Sequence, residues 1–178
     1  MRRTALLLLG VALLAACTES TTTGTLAPSD PAAIRTATVS EQKDLATLRA
    51  ATGKFHNFEA AKDAKYTFLF MNMCMADPNL GGMGYHYVNT QLLDDKVEVD
   101  SPEALLYEPQ ANGQLKLVAV EYVIPKSEWK NANPPELFGQ KLVLNSFDLW
   151  ALHVWVWQDN PSGLYASWNP QVTCDHAS

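Results

Sequence analysis

The chain has 178 residues, a length that suits about one globular domain, and 47% of them are hydrophobic. Its 13 basic and 19 acidic residues give a formal net charge of −6. This acidic balance argues against a nucleic-acid partner and against electrostatic attachment to anionic lipid.

The N-terminus has the pattern of an export signal. Arg2 and Arg3 precede an almost wholly apolar stretch at 4–14, which is short for spanning a bilayer and suits the core of a signal peptide. The residues Leu-Ala-Ala-Cys at 14–17 resemble the lipobox of bacterial lipoproteins. The resemblance implies that residues 1–16 are removed and that a lipid on Cys17 holds the chain on a membrane. An ordinary secretory signal with an incidental Cys17 is the alternative.

The same resemblance bears on location. Thr18 follows the cysteine, where an aspartate is associated with retention in the inner membrane. It therefore implies the outer membrane, facing the periplasm, in a bacterium with two membranes, and the outer face of the plasma membrane otherwise. From Cys17 onward the chain has 11 basic and 19 acidic residues, a formal net charge of −8, so lipid rather than charge would hold it there.

The segment after Cys17 has the composition of a tether. Residues 18–39 are rich in Thr, Ser, Pro and small side chains, and they offer too little apolar surface to offset the entropy of ordering. We predict that the lipidated cysteine and a flexible tether occupy 17–39 and that a single globular domain occupies 40–178. A strand lying on that domain is the alternative for this segment.

Helical periodicity opens the domain. Ser40 is the predicted N-cap, and Glu41 adds negative charge to the first turn. Apolar residues then recur at spacings of three and four and predict one buried stripe, made of Leu45, Leu48, Ala51 and Phe55. Asn57 is predicted to cap a second short helix at 58–64, and one helix with a break near His56 is the alternative. His56 itself is predicted to be a solvated or capping residue.

From Tyr66 onward the pattern becomes that of β-structure. Residues 104–124 contain two apolar runs joined through Asn112 and Gly113, which supply the positive φ angles of a tight reversal. The further predicted elements are a loop at 131–139, a strand at 149–157, a turn at 160–163 and a return arm at 164–168. The expected fold is α+β and mainly β, with an N-terminal helical segment packed on an antiparallel sheet, barrel or sandwich.

Two cysteines remain beside Cys17. In an oxidising compartment, Cys74 and Cys174 permit only one intramolecular pair. We predict a disulfide between them that closes a loop of about 100 residues. A free or metal-bound thiol pair is the alternative.

Three polar residues, His86, Glu121 and His153, lie in stretches that read as strands. Strand alternation predicts the same-face neighbours of two of them. They are Ala151, Trp155 and Trp157 for His153, and Leu117, Ala119 and Val123 for Glu121. A carboxylate in so apolar a strand is costly unless it is paired or bound. Two imidazoles and one carboxylate that converge would form a divalent transition-metal site. The alternatives are a polar pocket without metal and a set of hydrogen-bonded core groups.

Two other groups of residues are candidate binding sites. Met71, Met73 and Met75 would share one face of a strand, where thioethers favour Cu(I), although filling of the core is the commoner role. Aromatic residues concentrate near the C-terminus and suit a flat or cyclic ligand, or simply a core and its rim. They are Trp150, Trp155, Trp157, Tyr165 and Trp168. The predicted ligand-binding residues are Trp155, Trp157, Tyr85 and Asn89.

Phosphate-binding loops, nucleophile elbows and zinc-protease motifs do not occur in the sequence. Five segments, at 81–89, 102–109, 117–125, 137–140 and 152–174, together resemble a group of secreted bacterial proteins without an assigned activity. That resemblance brings no catalytic residues with it.

These observations predict an extracytoplasmic lipoprotein that binds a small ligand or a metal ion in a pocket lined by His, Glu and Trp. A metal-dependent enzyme that uses the same residues and a cell-envelope interaction protein are the alternatives.

Overall fold

A computed structural model of the chain describes residues 38–177. These residues belong to a compact unit, Ala37–Ser178. The predictions for the signal peptide, Cys17 and nearly all of the tether fall outside the described residues. Within the described part of the chain, no helix has the length and apolar character that crossing a membrane requires.

Two helices and a 3₁₀ turn begin the unit. Helix α1 (Val39–Thr52) starts at a capping box, in which Thr38 accepts from the Glu41 amide and the Glu41 side chain accepts from the Thr38 amide. The predicted cap at Ser40 is therefore wrong by two residues, because Thr38 has both a hydroxyl and a Glu three positions later. Asn57 caps α2 (Phe58–Asp63), as predicted, after a 3₁₀ turn that ends at the exposed His56.

A six-stranded antiparallel sheet follows, which confirms the predicted mainly β fold. Its strand order is β1-β2-β3-β4-β8-β7, and β5 and β6 form a separate two-stranded pair. The strands are β1 (Phe68–Asp77), β2 (Gly81–Val88), β3 (Ala104–Pro109), β4 (Leu115–Pro125), β5 (Glu136–Leu137), β6 (Gln140–Lys141), β7 (Val143–Leu144) and β8 (Leu149–Val154). The hairpin predicted at 104–124 is the pair β3–β4.

Two apolar clusters occupy the two sides of this sheet. The larger cluster packs under the helices and includes Leu48, Phe55, Tyr107, Tyr122 and Val154. Buried hydroxyls fix the helical segment to it, since Tyr107 donates to the Phe55 carbonyl over 2.7 Å. The smaller cluster includes Val88, Ala104, Leu106, Ala119, Trp155 and Val172.

The predicted strand at 149–157 is three residues too long. The backbone amide of Val156 donates to the Val154 carbonyl, a three-residue turn that stops β8 at Val154. Trp157 consequently lies on the helical side, where its indole nitrogen donates to the Thr52 hydroxyl. The predicted return arm at 164–168 is not a strand, although the Leu164 carbonyl accepts from the Trp155 amide.

A bulge in the β3–β4 hairpin places Leu117 on the side of the sheet opposite to the predicted one. Leu106 pairs with Ala119, and Tyr107 pairs with Leu117, so Val118 is an extra residue in β4. Leu117 belongs to the larger cluster and Ala119 to the smaller one. The prediction that Leu117 shares a face with Glu121 is therefore wrong, because the bulge shifts the alternation by one residue.

The outer strand β1 is irregular and is fastened covalently. Its pairing with β2 is interrupted between Leu69 and Cys74, where Met71 and Asn72 have φ angles of 56° and 50°. Cys74 forms the predicted disulfide with Cys174, with the two Cα atoms 5.8 Å apart. The bond ties the C-terminal segment to this edge of the sheet.

Candidate metal centre

Three strands bring the predicted metal ligands together on the side of the sheet opposite the helices. Glu121 in β4 and His153 in β8 are direct cross-strand partners. His86 lies in β2, which is separated from β4 by the whole of β3. Its side chain must therefore reach Glu121 across one intervening strand.

Ala104 in β3 leaves room for that reach. It is fully buried, and it pairs with Val88 on one side and with Glu121 on the other. The direct partner of His86 in β3 is Leu106, so the imidazole reaches Glu121 diagonally, past Ala104. A longer side chain at position 104 would crowd that path, because same-face neighbours on adjacent strands are in contact. The small residue thus allows groups on β2 and β4 to meet.

The three side chains are arranged as a triangle. Nε2 of His86 is 3.4 Å from Nε2 of His153 and 3.7 Å from Oε2 of Glu121. Nε2 of His153 is 3.6 Å from Oε1 of Glu121. All three gaps exceed the usual hydrogen-bond length of about 2.7–3.2 Å, so these groups do not satisfy one another well.

The spacing suits a shared cation. Zinc–nitrogen bonds of roughly 2.0–2.1 Å place the ligand atoms of a tetrahedral ion about 3.3 Å apart. The three residues together could hold a metal ion. Two histidines and one carboxylate are a ligand set for zinc and for non-haem iron, and such sets leave coordination positions for other molecules.

Burial keeps this group of residues uncharged. Desolvation lowers the pKa of His86 to about 4, a shift that a backbone interaction with Gly84 slightly opposes. Desolvation, reinforced by the neighbouring His86, lowers the pKa of His153 to about 3. Desolvation raises the pKa of Glu121 to about 8. Neutral imidazoles are the form that ligates metals, and a bound cation would favour the ionised carboxylate.

Neighbouring groups hold one imidazole more firmly than the other. The ring of His153 stacks on the buried Trp155, whose indole nitrogen donates to the Ala166 carbonyl over 2.6 Å. Nδ1 of His86, by contrast, is buried and forms no hydrogen bond within the described residues.

A cavity of about 410 Å³ opens onto the three side chains. This volume lies in the range of small-molecule sites. The strands β1 and β2 supply one wall, and β8 and the loop before it supply the other. The apolar residues that line it include Phe68, Phe70, Met75, Met83, Val88, Val143, Phe147, Ala151 and Trp168.

Residues from the two ends of the sheet meet beside the cavity. Phe70 in β1 contacts Phe147, in the loop between β7 and β8, with ring centroids 5.2 Å apart and planes at 89°. Although β1 and β7 are the outermost strands, the sheet curls enough for aromatic rings from its two ends to touch. The His and Glu side chains therefore lie inside a concave surface.

The predicted ligand-binding residues lie outside this lining. Tyr85 faces the helical side of β2, with its ring 6.3 Å from that of Tyr87. Asn89 caps a 3₁₀ turn and donates to the Ala64 carbonyl. The ring of Trp155 stacks on that of His153, and Trp157 packs on His56. A part for these four in ligand binding stays a prediction.

Besides Tyr165 and Trp168 from the aromatic C-terminal section, the cavity is lined by aromatic residues that the sequence patterns did not single out as ligand contacts. Phe68 and Phe70 are in β1, and Phe147 is in the loop before β8. Of the methionines, Met75 and Met83 line the cavity, whereas Met71 and Met73 are exposed, so the expected core-filling role is wrong for those two. A signal existed in the alternation of Phe68 and Phe70, since both lie on the His86 side.

No family model, curated protein or solved structure matches this chain. Within residues 38–177, His86, Glu121 and His153 are the one group of three or more His, Cys, Asp or Glu side chains placed to hold a metal ion.

Proposed function

We propose that this chain is a lipid-anchored protein of the cell envelope that binds a divalent transition-metal ion, zinc or iron, through His86, Glu121 and His153. The observation that carries the metal assignment is the triangle of three buried ligand atoms, 3.4–3.7 Å apart. Without a cation between them, the two imidazoles and the carboxylate are buried with poor mutual hydrogen bonds, which is costly.

The location rests on two independent features. The Leu-Ala-Ala-Cys sequence at 14–17 supports lipidation of Cys17. The Cys74–Cys174 disulfide supports an oxidising compartment outside the cytoplasm, because such bonds are rare in the cytosol. We expect Cys17→Ser to release the exported protein from the membrane fraction, whereas parent protein stays bound. A variant that remains with the membrane would contradict the anchor.

The metal assignment is tested on an unlipidated chain, residues 17–178 with Cys17→Ser, exported behind a standard secretory signal and purified without chelator. Elemental analysis is expected to find about one zinc or iron ion per chain. His86→Ala and His153→Ala should lose it, because each removes one of three ligands. His56→Ala is the matched control, since this histidine is exposed and distant from the site, and it should retain full metal content.

Circular dichroism and the disulfide content show whether each variant is folded. Folded parent chain that takes up no zinc, iron, copper or manganese would overturn the metal assignment. Equal metal content in the parent and in both site variants would also overturn it, since the ion would then be held elsewhere.

A metal-dependent enzyme is the second candidate, and the cavity beside the three ligands favours it. An open coordination position would hold a water molecule that the metal activates for hydrolysis. The metal-loaded chain should then hydrolyse p-nitrophenyl hexanoate, an apolar ester, and His153→Ala should abolish the turnover. Full metal occupancy without turnover of this ester would contradict the hydrolase candidate and would favour the metal-binding protein.

A further inference from the structure

We infer that the cavity binds an apolar monocarboxylate whose carboxylate oxygen ligates the metal and whose hydrocarbon part fills the space between β1 and β8. This inference rests on the proposed function, and it names the ligand class of that same site. Three properties of the described residues support it: the charge balance, the lining and the mouth.

The charge balance calls for one anion. A divalent ion held by one carboxylate and two neutral imidazoles leaves a net charge of about +1, and the three side chains are buried. A buried net charge is costly unless it is compensated. One monoanionic ligand on the metal makes the site neutral, whereas a cationic ligand would add to the excess.

The cavity itself supplies no compensating charge. Among the described residues that line it, Glu121 is the only carboxylate, and none is Lys or Arg. Tyr165 also lines the cavity, but its hydroxyl donates to Glu41 over 2.6 Å. The side-chain oxygen of Asn145 accepts from the amides of Phe147 and Leu149, and the other polar residues of the lining, Ser146 and Ser167, are uncharged. The metal is therefore the strongest partner for an anionic head group.

The rest of the lining selects a hydrocarbon tail. Aromatic, methionine and aliphatic side chains surround the space beyond the three ligands. Burial of apolar area is worth about 25 cal/mol per Å² and is not directional, so such a wall binds tails of similar size with little preference among them.

The mouth of the cavity is apolar and exposed. Phe68, Val143 and Phe147 line it with exposed fractions of 52%, 69% and 45%. Exposed apolar groups that continue into a cavity mark a ligand entrance rather than a wall of the core. They offer an entering tail apolar contact before the head group reaches the metal.

The test uses the unlipidated chain loaded with Co²⁺, whose visible absorption reports its coordination. Hexanoate is the probe, with 1-hexanol and hexylammonium as matched tails that lack the anion, and acetate as the anion that lacks the tail. Hexanoate is expected to change the cobalt spectrum saturably and to bind at least about tenfold more tightly than any of the three others.

A variant that fills the cavity distinguishes the contribution of the hydrocarbon tail to binding from that of the carboxylate. Ala151 lies two residues before His153 on the same side of β8 and lines the cavity. Ala151→Phe should keep cobalt bound and weaken hexanoate at least about tenfold, while acetate binding changes little. Phe147→Ser, at the exposed mouth, should weaken hexanoate by a smaller factor with the metal site intact.

The outcomes distinguish the two assignments. Cobalt that binds to the three residues but does not respond to hexanoate overturns the ligand class and leaves the metal site standing. Equal responses to hexanoate and 1-hexanol also overturn it, because the anion then contributes nothing. A folded chain that binds neither cobalt nor zinc or iron overturns the proposed function itself, and hexanoate binding by such a chain would contradict ligation by the metal.

Discussion

Ala104 shows how one small side chain permits a site that spans three strands. It stands in β3 between the strands of His86 and Glu121, and it is fully buried. As the direct partner of Glu121 it offers only a methyl group, which leaves space for the longer side chains. Contact between the imidazole and the carboxylate therefore depends on a residue with no chemistry of its own.

Ala104→Leu should abolish metal binding. The larger side chain would occupy the space between His86 and Glu121 and would cost about 1–3 kcal/mol of stability through overpacking. Ala61→Leu, in the cluster under the helices, is the matched control, since Ala61 is also fully buried. It should lose similar stability in urea unfolding but keep the metal. Retention of full metal content in a folded Ala104→Leu chain would show that the groups do not meet across β3.

Glu103 is another buried carboxyl, on the side of the sheet where Tyr66 lies. Desolvation raises its pKa to about 8, although the amide of Val123 donates to it over 2.8 Å. Because the folded-state pKa lies above the unfolded value of about 4.5, the protonated carboxyl favours folding. This stabilisation is complete below about pH 4.5 and is lost as the pH rises toward about 8.

Glu103→Gln should remove that pH dependence. Between pH 5 and pH 8, the parent is expected to lose stability relative to the variant by up to about 1.4 kcal/mol per pH unit. Urea unfolding across this range measures the difference, and Glu128→Gln, at an exposed carboxyl, is the control. Parallel pH profiles for the parent and Glu103→Gln would contradict the raised pKa.

At the scale of elements, Gly84 determines how closely β2 approaches β3. Its φ angle is +90°, and a Cβ atom there would lie 2.5 Å from the Tyr107 carbonyl oxygen. Gly113, in the hairpin turn, has a φ angle of +78° with no atom within 4 Å of such a Cβ. The two glycines thus share a backbone conformation and differ in space.

Gly113→Ala should cost about 1–2 kcal/mol, the conformational penalty alone. Gly84→Ala should cost distinctly more, because β3 must also move away, and it should weaken metal binding since His86 is two residues along the strand. Urea unfolding and metal titration of the two variants measure this. Equal losses of stability would mean that the contact with Tyr107 is easily relieved.

The elements show where sequence patterns predict structure and where they fail. The β3–β4 hairpin and the Asn57 cap were predictable because their signals are local: Asn-Gly at the turn and an amide oxygen before a helix. The bulge at Val118 and the turn after Val154 were not, because both depend on distant segments. The bulge depends on pairing with β3, and at the turn the amides of Trp155 and Trp157 donate to the carbonyls of Leu164 and Val118. Each shifts the alternation and moves a residue, Leu117 or Trp157, to the other side.

At the scale of the whole molecule, the three candidate metal ligands were predictable as residue types but the cavity was not. Polar residues within apolar strands stand out in a sequence. The contact of Phe70 with Phe147 depends on the curl of a six-stranded sheet, which no local pattern specifies. Of the aromatic residues considered for ligand binding, Tyr165 and Trp168 line the cavity, whereas Trp155 stacks on His153 outside the lining and Tyr85 and Trp157 lie on the helical side.

The disulfide should be a large part of the stability of the molecule. It closes a loop across a separation of 100 residues, which in the chain-entropy model is worth about 4–5 kcal/mol. The double variant Cys74→Ser, Cys174→Ser should therefore unfold at a much lower urea concentration. Parent protein kept in reducing agent should behave like this variant. An unchanged midpoint would contradict the model, since the reduced chain would already be constrained.

The irregularity of β1 has a consequence for how copies of the protein meet. A regular, apolar outer strand is a template on which a second chain adds by backbone pairing. Here the outer strands are β7, with two residues, and β1, which is broken at Met71 and Asn72 by left-handed backbone angles. The protein can thus display an apolar entrance to its cavity without offering a continuous ladder, which protects it against aggregation when many copies crowd one surface.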